Sequence, residues 1–285
     1  MKQLTIGHLK ITALPDGDRD LDHITEAFPD VPPEALLGYR DRYPGVHGVA
    51  DAWRLRVHTW LIHHADGLIL FDTGVGPPTA PAFGWFGEGG RLMAALGEAG
   101  ASPHDVGTVV ISHVHDDHIG GTVTSDGEPA FPSARYVIQR ADWEWQRNSA
   151  TEDEEDRVIW EMLLEPLERA GVVDLLDGDH DLGEGLQLHH APGHTPGHQV
   201  VRIASGGRRA LLSADAFNHP AQLAHPEWPS GSDAEPARAG VTRRGLLAEL
   251  DAHPDTVVGP SHFAEPFGLV KAGEDGLAGW EAYEG

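Results

Sequence analysis

Three histidines and two aspartates fall within six consecutive positions in "HVHDDH", residues 113 to 118, directly after the apolar run "TVVIS". His113 and His115 are two apart, which in a continuing strand puts both imidazoles on one face. The turn that follows can bring Asp117 and His118 back beside them, with Gly120 and Gly121 letting the backbone bend closely. A single histidine is an ordinary core or surface residue. Four donors packed this densely beside a buried strand cost free energy unless something binds them. With nitrogen and oxygen donors only, the ligand that fits is a divalent cation.

One cluster cannot fill two coordination spheres, so further donors are sought at the ends of other strands. "APGHTPGH" offers His194 after the strand-like "LQLHH", "LLSADAF" ends a strand with Asp215, and "VVGPSH" ends the last strand with His262. Each repeats the same local logic of an apolar strand, a small-residue bend and a donor. The candidate metal ligands are therefore His113, His115, Asp117, His118, His194, Asp215 and His262.

The elements that must position them are interleaved strands and helices. "LTIGHLKITAL" alternates apolar and polar residues, and "RLRVHTWLIHHADGLILFDTG" reads as two strands joined at Asp66-Gly67. Residues 20–50, rich in Pro, Asp and Gly with Phe28, Tyr39 and Tyr43, read as an ordered excursion with little sheet, either a surface loop or a substrate-covering segment. "GGRLMAALGEAG" reads as a short helix closed by Gly100. "VGTVVISH" is a buried strand running into the histidine cluster, and "ARYVIQ" is another. "ATEDEEDRVIWEMLLEPLERAG" reads as one acidic amphipathic helix with a solvated face. "VVDLL", "LQLHHAP", "HQVVRIA" and "RRALLSAD" are short strands, "GVTRRGLLAELDAHP" a helix and "TVVGPSH" a final strand. No repeat or linker interrupts this order, so residues 1–285 read as a single domain.

Composition narrows the partners. The net charge is −25, which repels phosphate backbones and anionic membranes, so neither nucleic acid nor a membrane is an expected partner. The absence of cysteine removes disulfides, thiolate ligands and cysteine nucleophiles. The N-terminus does not read as a signal peptide and no apolar run is long enough to span a bilayer, so the expected location is cytoplasmic. A small-molecule substrate is expected; the oligomeric state is left open, a dimer included.

Taken together, "HVHDDH", "GHTPGH", "SADAF" and "GPSH", with "LILFDTG" upstream, resemble the metallo-β-lactamase superfamily in residue types and in order, from about residue 57 to 262. The resemblance implies an α+β fold, an αββα sandwich of two mixed β-sheets flanked by helices, with the site along one edge. It implies that His113, His115 and His194 hold one metal and Asp117, His118 and His262 the other, with Asp215 bridging them. Asp72 would orient a ligand histidine from behind. Two divalent ions, zinc first with manganese, iron or cobalt as alternatives, would acidify water to a hydroxide nucleophile and polarise a carbonyl or phosphoryl oxygen. Asp117 would also orient the hydroxide or pass a proton to the leaving group.

Departures from other branches of that superfamily point to one of them. Branches with a cysteine ligand are excluded by composition. Glyoxalase-II-like enzymes carry a helical C-terminal domain, whereas only 23 residues follow His262. The oxygen-reducing diiron branch has Glu where His115 stands. What remains resembles the lactonases and related ester hydrolases. The expected activity is a dinuclear metal-dependent hydrolase opening a lactone or cleaving a carboxylic ester. The alternatives are a thioester or phosphotriester hydrolase on the same site, or a mononuclear-iron oxidoreductase of the persulfide-dioxygenase type. Acyl-homoserine lactonases carry a Tyr three residues after the bridging Asp. Here that position is Asn218, followed by His219, and these two are the candidate catalytic replacements. Trp228, in "NHPAQLAHPEWP", is a candidate wall of the substrate pocket, whereas Trp53, Trp60, Trp143 and Trp145 read as core or interface. His63, His64, His189 and His190 read as structural or surface residues.

Overall fold

The computed structural model describes residues 1–273 and 276–284. Among these residues the strands form two seven-stranded sheets. The first follows chain order: β1 (Gln3–Ile6), β2 (Leu9–His23), β3 (Ala52–His64), β4 (Gly67–Phe71), β5 (Val106–Val110), β6 (Arg135–Gln139) and β7 (Val173–Leu176). Its pairs are antiparallel from β1 to β4 and parallel from β4 to β7. The second contains β8 (His180–Gly183), β9 (Leu186–His190), β10 (Gln199–Ser205), β11 (Arg208–Ala214), β12 (Val257–Pro260), β13 (Gly268–Ala272) and β14 (Ala278–Ala282). There only β11 and β12 run parallel.

The sheets meet face to face. Ile11, Trp60, Ile62 and Phe71 from the first pack with Leu188, Val201, Ile203 and Leu212 from the second in one buried cluster. Period-2 alternation makes this possible, because each strand can offer one face inward and the other to a helix. The outer face of the first sheet buries Val109, Tyr136 and Ile138 against Leu92, Leu96, Trp143 and Leu167 of the flanking helices. The outer face of the second buries Val200, Leu211 and Val258 against Leu246 and Leu250 of the helix Pro236–Ala252. The layers are helix, sheet, sheet, helix, the expected αββα sandwich.

Several local expectations are corrected. β2 stays paired with β3 as far as His23 opposite Ala52, so the sheet reaches into the segment 20–50. Beyond it, Ile24–Ala27 and Pro33–Leu37 are short helices, and Ile24, Phe28, Val31 and Leu36 bury a small core of their own. The β3–β4 hairpin turns at Ala65-Asp66, one residue early, and Gly67 (φ 125°) opens β4 in a backbone region that only glycine enters freely. The acidic helix is interrupted. Glu154–Ile159 and Glu165–Ala170 flank a π-helical turn at Trp160–Leu164, where Pro166 has no N–H to continue the ladder. β5 ends at Val110, so His113 and His115 lie in an extended segment beyond the sheet and not in a continuing strand.

Candidate metal centre

Each sheet contributes one pair of parallel strands whose C-terminal ends face the site. In the first, β4 leads to Asp72 and β5 to the segment 112–118; in the second, β11 leads to Asp215 and β12 to His262. Asp72 is held at φ 65°, outside the regions a side chain prefers. Its carboxylate accepts from the Ser112 backbone N–H and from the Ser112 hydroxyl, both at 2.7 Å, and meets His118 Nδ1 at 2.9 Å. Ala214 (φ 42°), next to Asp215, is constrained in the same way. The turn Asp116–Ile119 is drawn against the end of β4. The Thr73 N–H and hydroxyl both donate to His118 O, and a Cβ on Gly120 would stand 2.1 Å from Val75 O.

The seven sequence-derived donors come together. His113, His115 and His194 form one group and Asp117, His118 and His262 another; within each, one donor atom per residue lies within 4.8 Å of the others. His115 Nδ1 is 3.1 Å from His113 Nε2 and 3.0 Å from His194 Nε2. Asp117 Oδ2 stands 3.6 Å from both His118 Nε2 and His262 Nε2. Asp215 reaches both groups. Its Oδ2 is 2.9 Å from His262 Nε2 and 3.6 Å from His194 Nε2, and its Oδ1 is 3.2 Å from His118 Nε2.

The outward ring nitrogens are already engaged. His118 Nδ1 meets Asp72, His194 Nδ1 meets Asp233 Oδ1 at 2.9 Å, His262 Nδ1 donates to Arg56 O at 2.6 Å, and His113 Nδ1 contacts Ser112 Oγ at 2.9 Å. This leaves the inward nitrogens facing one another and Asp215. His118 Nε2 and Asp215 Oδ1 are buried without a hydrogen-bond partner, close together but misaligned. Burial, reinforced by the neighbouring imidazoles, holds His113 and His115 far below the ordinary histidine range. They therefore present lone pairs, the form in which imidazole binds a metal. Burial is the largest influence on His118 and His262 too and opposes their charge, but Asp215 and Asp117 together, with Asp72 as well at His118, outweigh it and raise both. Burial alone would raise Asp215, yet His262 and His118 together hold it well below the carboxylate range. Orphaned buried atoms, tethered outer nitrogens and an all-nitrogen-and-oxygen donor set fit a pair of divalent cations.

Three supporting carboxylates escaped the sequence analysis. Asp233, in "SGSDAEP", holds His194 and is itself paired at 3.1 Å with Arg243, a fully buried arginine of the helix Pro236–Ala252. Asp142 accepts from Val114 N, Thr195 Oγ1 and Gly197 N, and so ties the histidine segment to the "HTPGH" turn. Burial pushes its carboxyl up to about 6. Asp16 accepts from Val75 N and Leu92 N, bracing the loop behind the Asp116–Ile119 turn. None of the three sits at a motif spacing, and no local pattern marks them.

A cavity of ≈ 430 Å³ opens over the donors, with His115, Asp117, Asp215 and His262 at its base. Leu21, His23 and Ala27 contribute to its walls, so the excursion does border the cavity. Asn218 also lines it, with Nδ2 donating to Asp215 Oδ2 at 2.7 Å. His219 does not. Its Nδ1 accepts from Ala221 N, and its ring is packed against Phe28, Tyr43 and His47. Trp228 is likewise outside the lining, stacked on His225 with centroids 4.0 Å apart. Trp53, read from sequence as core or interface, lines the cavity instead.

The chain resembles known proteins in sequence and in fold. The family model described as the metallo-beta-lactamase superfamily matches residues 52–262. An N-acyl homoserine lactonase of Bacillus cereus is 31% identical over 204 residues, which cover 66% of this chain and 75% of the relative. Among solved structures, the hydrolase AbOPH of the beta lactamase superfamily superposes with a TM-score of 0.84 at 21% identity, covering 99% of this chain and 97% of its own. AidC, described as a dizinc quorum-quenching lactonase, superposes with a TM-score of 0.82 at 24% identity, covering 100% and 97%.

Proposed function

The chain belongs to the metallo-beta-lactamase superfamily, and from that premise we propose that it is a dinuclear metal-dependent hydrolase that opens a lactone or cleaves a carboxylic ester of a small molecule. The observation that carries this reading is the convergence of seven donors into two groups that share Asp215 beneath one cavity. His113, His115 and His194 would hold one ion, Asp117, His118 and His262 the other, and Asp215 both; zinc is the ion proposed, as in the dizinc lactonase that shares the fold. Two such ions supply Lewis acidity for the scissile carbonyl and lower the pKa of water enough to give a nucleophile at neutral pH.

The chain's own residues do the rest. Asn218 Nδ2 fixes the orientation of the Asp215 carboxylate. Asp117, at the cavity floor, is the carboxylate placed to hold and pass a proton to the departing alkoxide. Leu21, Ala27, Trp53 and Leu55 give the substrate an apolar wall. Asp22, Glu26 and Asp116 make the remaining surface acidic, which favours an uncharged substrate.

Proton release in a pH-stat, with zinc-reconstituted protein and its Asp215→Ala variant, tests the proposal. The panel holds lactones, linear esters, thioesters, phosphotriesters and a β-lactam. Turnover of a lactone or ester, reduced at least about 10³-fold in the variant, is expected. Turnover confined to thioesters or phosphotriesters would reassign the bond. Undiminished turnover in Asp215→Ala would overturn the shared-ligand assignment.

A further inference from the structure

The cavity has few hydrogen-bond donors to spare. Among the described side chains that line it, Trp85 Nε1 is spent on Asp116 Oδ2 at 2.8 Å, Asn218 Nδ2 donates to Asp215, and Ser232 Oγ pairs with Ser230 Oγ at 2.8 Å. Trp53 Nε1 is buried and unpartnered. His115 and His262 direct nitrogens into the donor groups. His23 is different. Its Nδ1 is 2.8 Å from Thr25 Oγ1 and accepts the Thr25 backbone N–H at 3.4 Å. A backbone N–H can only donate, so Nδ1 is the acceptor and the neutral ring carries its proton on Nε2. Among the described residues nothing bonds that Nε2, although His23 lines the same cavity as Asp117 and Asn218.

The ring is also firmly mounted. His23 closes the β2–β3 ladder opposite Ala52, the next residue, Ile24, is fully buried, and Ala27 O accepts from Gly231 N at 2.8 Å. A donor fixed at one end and open at the other loses little entropy when it binds.

We infer that His23 is a substrate-binding residue whose Nε2–H donates a hydrogen bond to an oxygen of the neutral lactone or ester in the cavity. This rests on the hydrolase reading above and adds to it a specificity element outside the metal-ligand set. It also states what the substrate must carry: an acceptor oxygen within reach of His23 while its carbonyl lies over the donor groups.

The test uses the zinc-loaded protein, a lactone it turns over, and the matching lactam as a non-hydrolysed probe, with binding measured by calorimetry. His23→Ala is expected to weaken lactam binding and raise KM by about tenfold while kcat changes less than about threefold, as for the loss of one hydrogen bond. His23→Gln, which returns an N–H near the Nε2 position, is expected to recover most of the loss. Thr25→Ala, which removes the hydroxyl tether on Nδ1 but keeps the ring and the backbone N–H, is expected to weaken lactam binding less than His23→Ala does. Zinc content is read in every variant. Wild-type binding in His23→Ala, or equal loss in the Ala and Gln variants, would overturn this inference while leaving the hydrolase reading intact. A wild type that binds no lactam and turns over no lactone or ester overturns both.

Discussion

Asp72 and Asp233 do the same job at opposite sides of the centre, each fixing the outer nitrogen of a histidine whose inner nitrogen faces the donor groups. Asp72 was readable because it sits in "FDTG" at a strand end. Asp233 was not, because its loop reads as ordinary turn sequence and its partners lie far along the chain at His194 and Arg243. Its effect should nevertheless be large. Asp233→Asn removes the anion that polarises His194 and leaves Arg243 buried beside a neutral amide. Competition with a chromophoric chelator should show zinc affinity falling by about 10- to 100-fold at one of two sites. Unchanged affinity at both would show that His194 needs no such support. Asn218 and His219 make the complementary point. Asn218 stands where the resemblance places a Tyr and His219 is its neighbour, yet one residue of backbone separates a side chain that touches the cavity from one enclosed by Phe28, Tyr43 and His47.

The elements behave as tethers between strand ends. Gly120 lies so close to Val75 that any side chain must push the Asp116–Ile119 turn away from the end of β4. Gly120→Ala should therefore shift Asp117 and His118 together. The expected outcome is activity reduced by at least about tenfold and stability by about 2 kcal/mol, as for overpacking at a rigid contact. Wild-type kcat/KM and melting temperature in the variant would refute the close approach. Asp16 is a second tether, from β2 to the loops at Val75 and Leu92. Burial, outweighing its hydrogen bonds, pushes its carboxyl up to about 6. A carboxyl raised in the folded state favours folding most below its unfolded pKa, and that contribution is lost as pH rises through 6. Between pH 4 and 7 the wild type should lose about 3 kcal/mol relative to Asp16→Asn, measured by urea unfolding at each pH. A parallel pH dependence in the two proteins would refute it. Strands, sheet-forming alternation and the strand-end donors were legible in sequence because they are local patterns. The π-turn at Trp160–Leu164, the length of β2 and the end of β5 were not, since each is decided by contacts between segments.

At the scale of the whole molecule, the two sheets each bring a parallel strand pair to one edge, in a chain whose net charge is −25. The cavity wall carries Asp22, Glu26 and Asp116, with no lysine or arginine among the described lining residues. The sequence offered residues 20–50 as a surface loop or a substrate-covering segment, but that Asp22 and Glu26 line the cavity was not legible in it, because residues 21–27 join the site only through the fold. The field has a sign and therefore a consequence. An ester or lactone bearing a distal carboxylate should be repelled on approach, and the carboxylate product of hydrolysis should be expelled by the same charges. For a neutral ester and its ω-carboxylate analogue of equal length, kcat/KM at low ionic strength should favour the neutral one by about tenfold. Salt at about 0.5 M shortens the Debye length to a few ångströms and should bring the ratio towards one. Glu26→Gln should narrow the gap at low salt without changing zinc content, since Glu26 belongs to the wall and not to either donor group. An analogue hydrolysed as fast as the neutral ester at low salt would show that the acidic wall does not select the substrate.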